Sequence, residues 1–177
     1  MADPTRKNYQ AALQVLSYLK ATSTEGITLR KPRNLEVRIL ADVAFGGEKA
    51  RSQSGAIIMI GGQAIAWTTR RQDVVALSST ESEYISDCEA AKDAAWIQQL
   101  LWELSVKVIP VLMTDSEEAT HLAKTNAFLR RTRHIEHRYH YLRQEVKAGN
   151  LKIQWVKGTE NQADPLTKLL PMTVVEA

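Results

Sequence analysis

The amino-acid sequence predicts an α/β fold in which a five-stranded mixed sheet carries helices packed on its faces. Two short apolar runs on either side of Gly61-Gly62-Gln63 are typical of a β-hairpin. A strand-like run precedes them, and apolar residues then recur at helical spacing from Tyr84 to Leu104. Two later strand-like runs alternate with helical segments, as they do when parallel strands extend a sheet. We therefore expect three antiparallel strands followed by two parallel additions.

The composition is that of a globular protein with one main core. Hydrophobic residues make up 44% of the 177 residues, which is enough to build that core. Cys88 is the single cysteine, so no intramolecular disulfide can form and we expect a reducing, intracellular location. No apolar run reaches about 18 residues, so we expect no membrane partner. The four tryptophans are expected mostly in the core, at Trp67, Trp96, Trp102 and Trp155.

The first predicted element is an amphipathic helix over residues 5–21, with Tyr9, Leu13 and Leu16 on one side. We assign residues 1–34 to this helix and a polar linker. The first strand of the main domain covers residues 35–41 and ends at Asp42. The hairpin strands cover residues 56–60 and 64–67, and the polar residues 68–72 are expected to form a loop.

The long helix begins in a cluster of hydroxyl and carboxylate side chains and runs to about Leu104. Thr80 and Glu83 have the spacing of a capping box, in which each side chain satisfies a backbone N–H at the helix start. In this interpretation, Glu83 has a structural role as part of the helix cap. The alternative is that Glu83 belongs to an acidic site.

The remaining elements alternate between strands and helices. They are a fourth strand over 108–113, a helix beginning near Asp115, a basic linker over 124–133, a helix ended by Gly149, a fifth strand over 151–156 and a short helix over 161–170. The main domain therefore covers residues 35–171, and residues 172–177 form a C-terminal tail.

Four acidic residues lie at junctions between these elements: Asp42, Glu83, Asp115 and Asp164. Each also fits a helix cap or a turn. In sheets with helical crossovers, however, sites form where strands end and helices begin. If the four acids converge, cations must offset their repulsion, and Mg²⁺ with oxygen ligands suits that role. Two such ions can activate a water molecule and stabilise the leaving oxygen of a phosphodiester.

The order Asp, Glu, Asp, Asp on this succession of elements resembles the ribonuclease H domain. Local segments resemble the Pol polyproteins, which include reverse transcriptase, of copia-type (Pseudoviridae) LTR retrotransposons. These segments are Arg51–Gly55, Val75–Tyr84, Arg131–Glu136 with Arg138–His140, and Asn161–Lys168. The first helix resembles the connection segment that follows the polymerase in those polyproteins. The resemblance covers nearly the whole chain and implies a ribonuclease H-like fold.

The resemblance also implies a set of site residues. It makes Asp42, Glu83, Asp115 and Asp164 the catalytic residues and the ligands of two Mg²⁺ ions, for which Mn²⁺ can substitute. Glu81 competes with Glu83, although the run from Glu83 to Ser86 matches the family pattern at the helix start. Two departures stand out. Ala44 replaces a second aspartate, and the loop over 156–161 lacks the histidine that many cellular ribonucleases H carry there.

The implied function also requires contacts to nucleic acid. Candidates are the hydroxyl residues near the acids, the polar stretch after the third strand and the crowded basic linker: Ser54, Arg70, Arg71, Gln72, Ser116, Arg130, Arg131, Arg133 and His134. A solvated basic face is the alternative for the arginines. A zinc site is the alternative for His134, His137 and His140, but no cysteine or second histidine cluster completes four ligands.

The acids indicate a metal-dependent phosphodiester hydrolase, and the resemblance implies an endonuclease that cleaves the RNA strand of RNA/DNA hybrids during reverse transcription. Its expected partners are the hybrid and the reverse transcriptase polymerase domain upstream in the same polyprotein. The alternative is a non-catalytic or weakly active module that binds the hybrid and supports the polymerase. A third class is another nuclease or transposase acting on duplex DNA. The resemblance implies a location in cytoplasmic virus-like particles or in the nucleus.

Overall fold

The computed structural model of the chain describes residues 3–32, 34–47, 49–124 and 136–168. Its elements, in chain order, are α1 (Arg6–Ala21), β1 (Val37–Ala44), β2 (Gln53–Ile60), β3 (Gln63–Arg71), α2 (Ser79–Glu103), β4 (Val111–Thr114), α3 (Glu117–Lys124), α4 (Glu136–Ala148) and β5 (Lys152–Trp155). Two single 3₁₀ turns follow β5, at Gly158–Glu160 and Asp164–Leu166. The chain forms two compact units, residues 1–30 and residues 31–177.

The first unit contains α1, and the predicted helix over residues 5–21 is confirmed. Thr5 caps its start, because the Thr5 hydroxyl oxygen accepts a hydrogen bond from the backbone N–H of Asn8 at 3.3 Å. No residue of α1 is buried. The assignment of residues 1–34 to a connection segment stays a prediction. Within the described ranges, no helix has the length and apolar character needed to cross a membrane.

The second unit is built on a five-stranded sheet with the strand order β3-β2-β1-β4-β5. The first three strands are antiparallel, and β4 and β5 are added in parallel to β1 and to each other. The predicted mixed sheet is therefore confirmed. Because β1 is the central strand, its residues Ile39, Leu40 and Ala41 are all buried rather than alternating between core and solvent.

Two strands extend further than their apolar runs. The strand β1 continues past Asp42 to Ala44, because Asp42 pairs with Gly55 and Ala44 pairs with Gln53. The prediction that Asp42 ends the strand was wrong. Similarly, β3 continues to Arg71, so the predicted loop over residues 68–72 is mostly strand. In both cases pairing with β2 holds polar residues in the sheet.

The hairpin turn between β2 and β3 confirms the Gly-Gly prediction. Gly61 and Gly62 have φ angles of 58° and 81°, which glycine adopts without a steric penalty. A Cβ at Gly61 would also lie 2.4 Å from the Cβ of Pro32. This turn therefore requires glycine for two separate reasons.

The long helix α2 packs against β1, β2 and β4 and also contacts α3 and α4. Its buried residues combine small side chains, such as Cys88, Ala91 and Ala94, with larger ones, such as Tyr84 and Ile97. The predicted core position of the tryptophans was wrong. All four are exposed, by 58% at Trp67, 58% at Trp96, 52% at Trp102 and 44% at Trp155. Trp67 and Trp155 lie on the edge strands β3 and β5, and Trp96 and Trp102 lie outside the buried stripe of α2.

Candidate active site

Asp42 lies near the carboxyl end of the central strand β1. Its side chain is only 3% exposed. The hydroxyl of Ser86 on α2 donates to the backbone carbonyl of Asp42 at 2.8 Å, which fixes the helix at this point of the strand. Asp42 is therefore a buried carboxylate at the meeting point of the sheet and the long helix.

The start of α2 is capped by residues other than those predicted. Ser78 is the N-cap, and its hydroxyl oxygen accepts a hydrogen bond from the backbone N–H of Glu81 at 3.1 Å. The buried Glu81 carboxylate accepts from the N–H of Leu77 at 2.6 Å. The predicted capping box of Thr80 and Glu83 was therefore wrong. The cap uses the side chain of Glu81, and Glu83 lies two residues further along α2.

Asp115 follows β4 directly. The helix α3 after it is capped by Ser116, whose hydroxyl oxygen accepts from the N–H of Ala119 at 3.1 Å, so the expectation that Asp115 caps this helix was wrong. The indole N–H of Trp155 donates to the Asp115 carbonyl at 3.0 Å. Gly158 leaves room for the carboxylate, since a Cβ there would lie 3.2 Å from Asp115 Oδ2.

Asp42, Glu83 and Asp115 line one small pocket. Their charges influence one another. Burial raises the pKa of Asp115, and the carboxylates of Asp42 and Glu83 raise it further, while the Lys168 ammonium opposes them. Three elements, β1, α2 and the end of β4, thus bring three of the predicted acids together.

The fourth acid reaches the site on the segment after β5. The Asn161 amide donates to the Ala41 carbonyl at 2.8 Å, and the Asn161 side-chain oxygen accepts from the N–H of Ala163. These bonds fasten the segment to β1 immediately before Asp42. The predicted helix over 161–170 is, within the described residues, only the 3₁₀ turn Asp164–Leu166, and Asp164 opens that turn instead of capping a helix.

Gly55 on β2 makes this docking possible. A Cβ at Gly55 would lie 2.8 Å from the Leu166 Cβ and 2.8 Å from the Thr167 Cγ2. Because Gly55 pairs directly with Asp42, the last segment crosses the sheet beside the buried acid. The close approach requires a residue without a side chain.

Lys168 joins two of the acids. Its ammonium lies 3.1 Å from Asp42 Oδ1 and 3.0 Å from Asp164 Oδ1. The Thr167 hydroxyl donates to the other oxygen of Asp42. Burial lowers the pKa of Lys168, but its bonds to Asp164 and Asp42 raise it more, so the net shift is upward. The four predicted acids therefore converge at one site, with a lysine among them.

Asp87 is a fifth acid that the sequence analysis missed. It lies one turn after Glu83 on α2, is 1% exposed and lines the same pocket. Its Oδ2 atom has no hydrogen-bond partner among the described residues. Burial raises the pKa of Asp87 well above its usual value, and the charges of Glu83 and Asp115 add to the shift. Its position four residues after Glu83, on the apolar stripe beside Cys88, was the signal available in the sequence.

The donor atoms of the four predicted acids are carboxylate oxygens, which suit hard divalent ions such as Mg²⁺. As the side chains stand, no group of three or more acid, histidine or cysteine side chains in the described ranges could hold an ion. Both Asp42 oxygens already accept hydrogen bonds, from Lys168 and Thr167. The residues fit the ion in chemistry, and an ion at Asp42 would have to replace one of these donors.

The predicted nucleic-acid contacts lie in different environments. Ser54, Gln72 and Ser116 are buried, and the Gln72 amide donates to the Ser54 hydroxyl and the Ser82 carbonyl. Arg70 forms ion pairs with Glu89 and Asp93 on α2. Arg71 is exposed at the end of β3. The other candidates, Arg130, Arg131, Arg133 and His134, lie outside the described residues, as do the side chains of His137 and His140.

The chain resembles segments of plant transposon polyproteins in sequence. It is 34% identical over 177 residues to a retrovirus-related Pol polyprotein from transposon RE1 of Arabidopsis thaliana, covering 98% of this chain and 12% of that protein. It is 33% identical over 178 residues to the corresponding polyprotein from transposon TNT 1-94 of Nicotiana tabacum, covering 99% of this chain and 13% of that protein. The chain thus spans about an eighth of these relatives. No family model matches it.

The fold resembles that of ribonucleases H. The structure of a ribonuclease H1 isolated from compost by a metagenomic approach matches with a TM-score of 0.61 and 15% identity, covering 75% of this chain and 92% of that chain. The same enzyme in complex with an RNA/DNA hybrid matches with a TM-score of 0.57 and 15% identity. At this identity the match shows that the second unit has the ribonuclease H-like fold.

Proposed function

Because the chain belongs to the retrovirus-related Pol polyproteins of copia-type transposons, we propose that it is a metal-dependent endonuclease that cleaves the RNA strand of RNA/DNA hybrids. In this role it acts beside the reverse transcriptase polymerase domain of the same polyprotein, during reverse transcription. The ribonuclease H-like fold and the complex of a structural neighbour with an RNA/DNA hybrid support the choice of substrate.

The observation that carries the proposal is the convergence of four acids from distant parts of the chain. Asp42, Glu83 and Asp115 line one pocket, and Lys168 links Asp42 to Asp164. Helix capping does not explain them, because Ser78 with Glu81 and Ser116 cap the two neighbouring helices. Such a concentration of negative charge is stable only near cations.

The four acids would hold two Mg²⁺ ions, or Mn²⁺ in their place, and the ions would activate water and stabilise the leaving oxygen of the phosphodiester. The contribution of the chain is to fix the carboxylates. Asp42 is held by the central strand, Glu83 by the capped start of α2, and Asp164 by the segment that Asn161 fastens to β1. Exposed basic residues such as Arg71 would contact phosphates, so binding should weaken steeply with salt.

The proposal is tested with a hybrid whose RNA strand carries a 5′ label. The 177-residue chain is incubated with the hybrid in Mg²⁺, in Mn²⁺ and in EDTA, and with duplex DNA and duplex RNA of the same sequence. We expect cleavage of the hybrid RNA strand only, in either metal and not in EDTA, with 3′-hydroxyl and 5′-phosphate ends. Hybrid binding without cleavage in either metal would instead establish a binding module, and faster cutting of duplex DNA would indicate another nuclease class.

Two variants test which glutamate of α2 belongs to the site. Glu81→Ala should lower the free energy of unfolding by about 0.5–2 kcal/mol, because it removes a cap, and should leave most hybrid cleavage intact. Glu83→Gln should keep the stability and lose cleavage. Urea unfolding and the hybrid assay measure the two effects. The reverse pattern would assign Glu81 to the site.

A further inference from the structure

We propose that Lys168 is a positioning residue that serves as the internal counter-cation of the acidic site and must be displaced when a divalent ion binds. This inference rests on the proposed function, since it requires that the acids bind such ions. It concerns how the site is kept intact without metal and how tightly it takes the metal up.

The geometry places the lysine where a cation is needed. The Lys168 ammonium is within hydrogen-bond distance of Asp42 Oδ1 and Asp164 Oδ1, at 3.1 and 3.0 Å. These two carboxylates come from the central strand and from the last described segment, so one positive charge joins the two ends of the site. Without it, the buried Asp42 carboxylate would face Asp164 with no charge between them.

The same contacts block a metal ion. Lys168 takes one oxygen of Asp42 and the Thr167 hydroxyl takes the other. Lone pairs that would point at an ion therefore point at two protein donors. An ion that binds Asp42 must therefore displace at least one of these two donors.

The lysine can leave without disturbing the fold. Its side chain is 41% exposed, whereas that of Asp42 is 3% exposed, so the ammonium lies at the solvent side of the pair. Its backbone N–H donates to the Asp164 carbonyl at 2.9 Å, which holds the main chain in place while the flexible side chain turns outward. The displaced ammonium would be solvated, and the freed carboxylates would face the ion.

The contact predicts opposite effects on two measurable properties. Lys168 offsets repulsion in the metal-free protein, so its removal should destabilise that state. Lys168 also competes with the ion, so its removal should tighten metal binding. If Lys168 had no role at the site, its removal would change neither property. If Lys168 only stabilised the fold, its removal would not tighten metal binding.

The test uses the full chain without nucleic acid. Mn²⁺ affinity is measured by electron paramagnetic resonance or calorimetry, and thermal unfolding is followed in EDTA. We expect Lys168→Met to bind Mn²⁺ roughly fivefold to tenfold more tightly and to unfold about 2–4 °C lower in EDTA. The unfolding difference should disappear in saturating Mn²⁺. Lys168→Arg should behave like the wild type, and so should Lys152→Met, a matched control at the start of β5, away from the acids. If Lys168→Met does not fold, Lys168→Gln takes its place with the same readouts.

Unchanged or weaker Mn²⁺ binding in Lys168→Met would overturn the inference. The hybrid assay separates this failure from that of the proposed function. If Lys168→Met shows both effects but the wild-type chain does not cut the hybrid, the proposed function alone is overturned. Cleavage of the hybrid without any Lys168 effect would overturn the inference alone.

Discussion

Asp42→Asn is expected to lower cleavage of the hybrid by roughly a thousandfold or more while the protein stays folded. A bound metal ion contributes several kcal/mol to stabilising the transition state, and each 1.36 kcal/mol corresponds to a factor of about ten in rate. Asp42 is the acid that pairs with Gly55 at the centre of the sheet and touches Lys168 and Thr167. An amide of the same shape keeps one oxygen for these donors but loses the negative charge that would hold the ion.

The measurement is single-turnover cleavage in Mg²⁺, with urea unfolding in EDTA to verify the fold. Asp73→Asn is the matched control, because Asp73 is exposed and lies outside the acid cluster. It should retain full activity. An Asp42→Asn protein that keeps more than a tenth of the wild-type rate would show that Asp42 is not a ligand in the reaction.

Asp87→Asn is expected to stabilise the metal-free protein at neutral pH, by an amount that grows with pH. Burial raises the pKa of Asp87 in the folded state, so the folded protein keeps a proton that the unfolded chain releases above about pH 4. The free energy of unfolding of the wild type therefore decreases as the pH rises towards the folded-state pKa, by up to about 1.4 kcal/mol per pH unit. The amide has no proton to lose and avoids this decrease.

Urea unfolding in EDTA at pH 5, 6 and 7 measures the difference between wild type and Asp87→Asn at each pH. Taking the difference removes the contribution of other acids with raised pKa, such as Asp115 and Asp93. Asp73→Asn again serves as the control and should show no pH-dependent difference. A difference that stays constant with pH would mean that Asp87 is ionised in the folded protein.

The sheet could be predicted from the sequence because its signals are local. The Gly61–Gly62 turn and the apolar runs beside it identify a hairpin, and the alternation of strand-like and helical segments indicates the parallel additions. The four acids could also be predicted, because each lies near the end of a strand or near the start of a helix or turn, where sites form in such sheets. Their convergence needed the strand order, which places β1 between β2 and β4.

The contacts within the site could not be predicted in the same way. Thr80 with Glu83 and Ser78 with Glu81 have identical spacing, and only the observed helix start at Ser79 distinguishes them. Lys168 and Asp42 are separated by 126 positions, so no local pattern joins them. The tryptophans were also misplaced. Side-chain size suggests burial, but Trp67 and Trp155 lie on the edge strands, a position that only the strand order shows.

The hydrogen bond from Asn161 to Ala41 determines when the acid cluster becomes complete during translation. The strand that carries Asp42 is translated before the other strands of the sheet, while Asn161, Asp164 and Lys168 leave the ribosome only after all five strands have been translated. A nascent chain therefore has three acids of the cluster but neither the fourth nor the lysine between them. If the chain cleaves hybrids as proposed, we expect this activity only after the last segment is in place, so that translation products lacking it would not degrade the RNA of a hybrid.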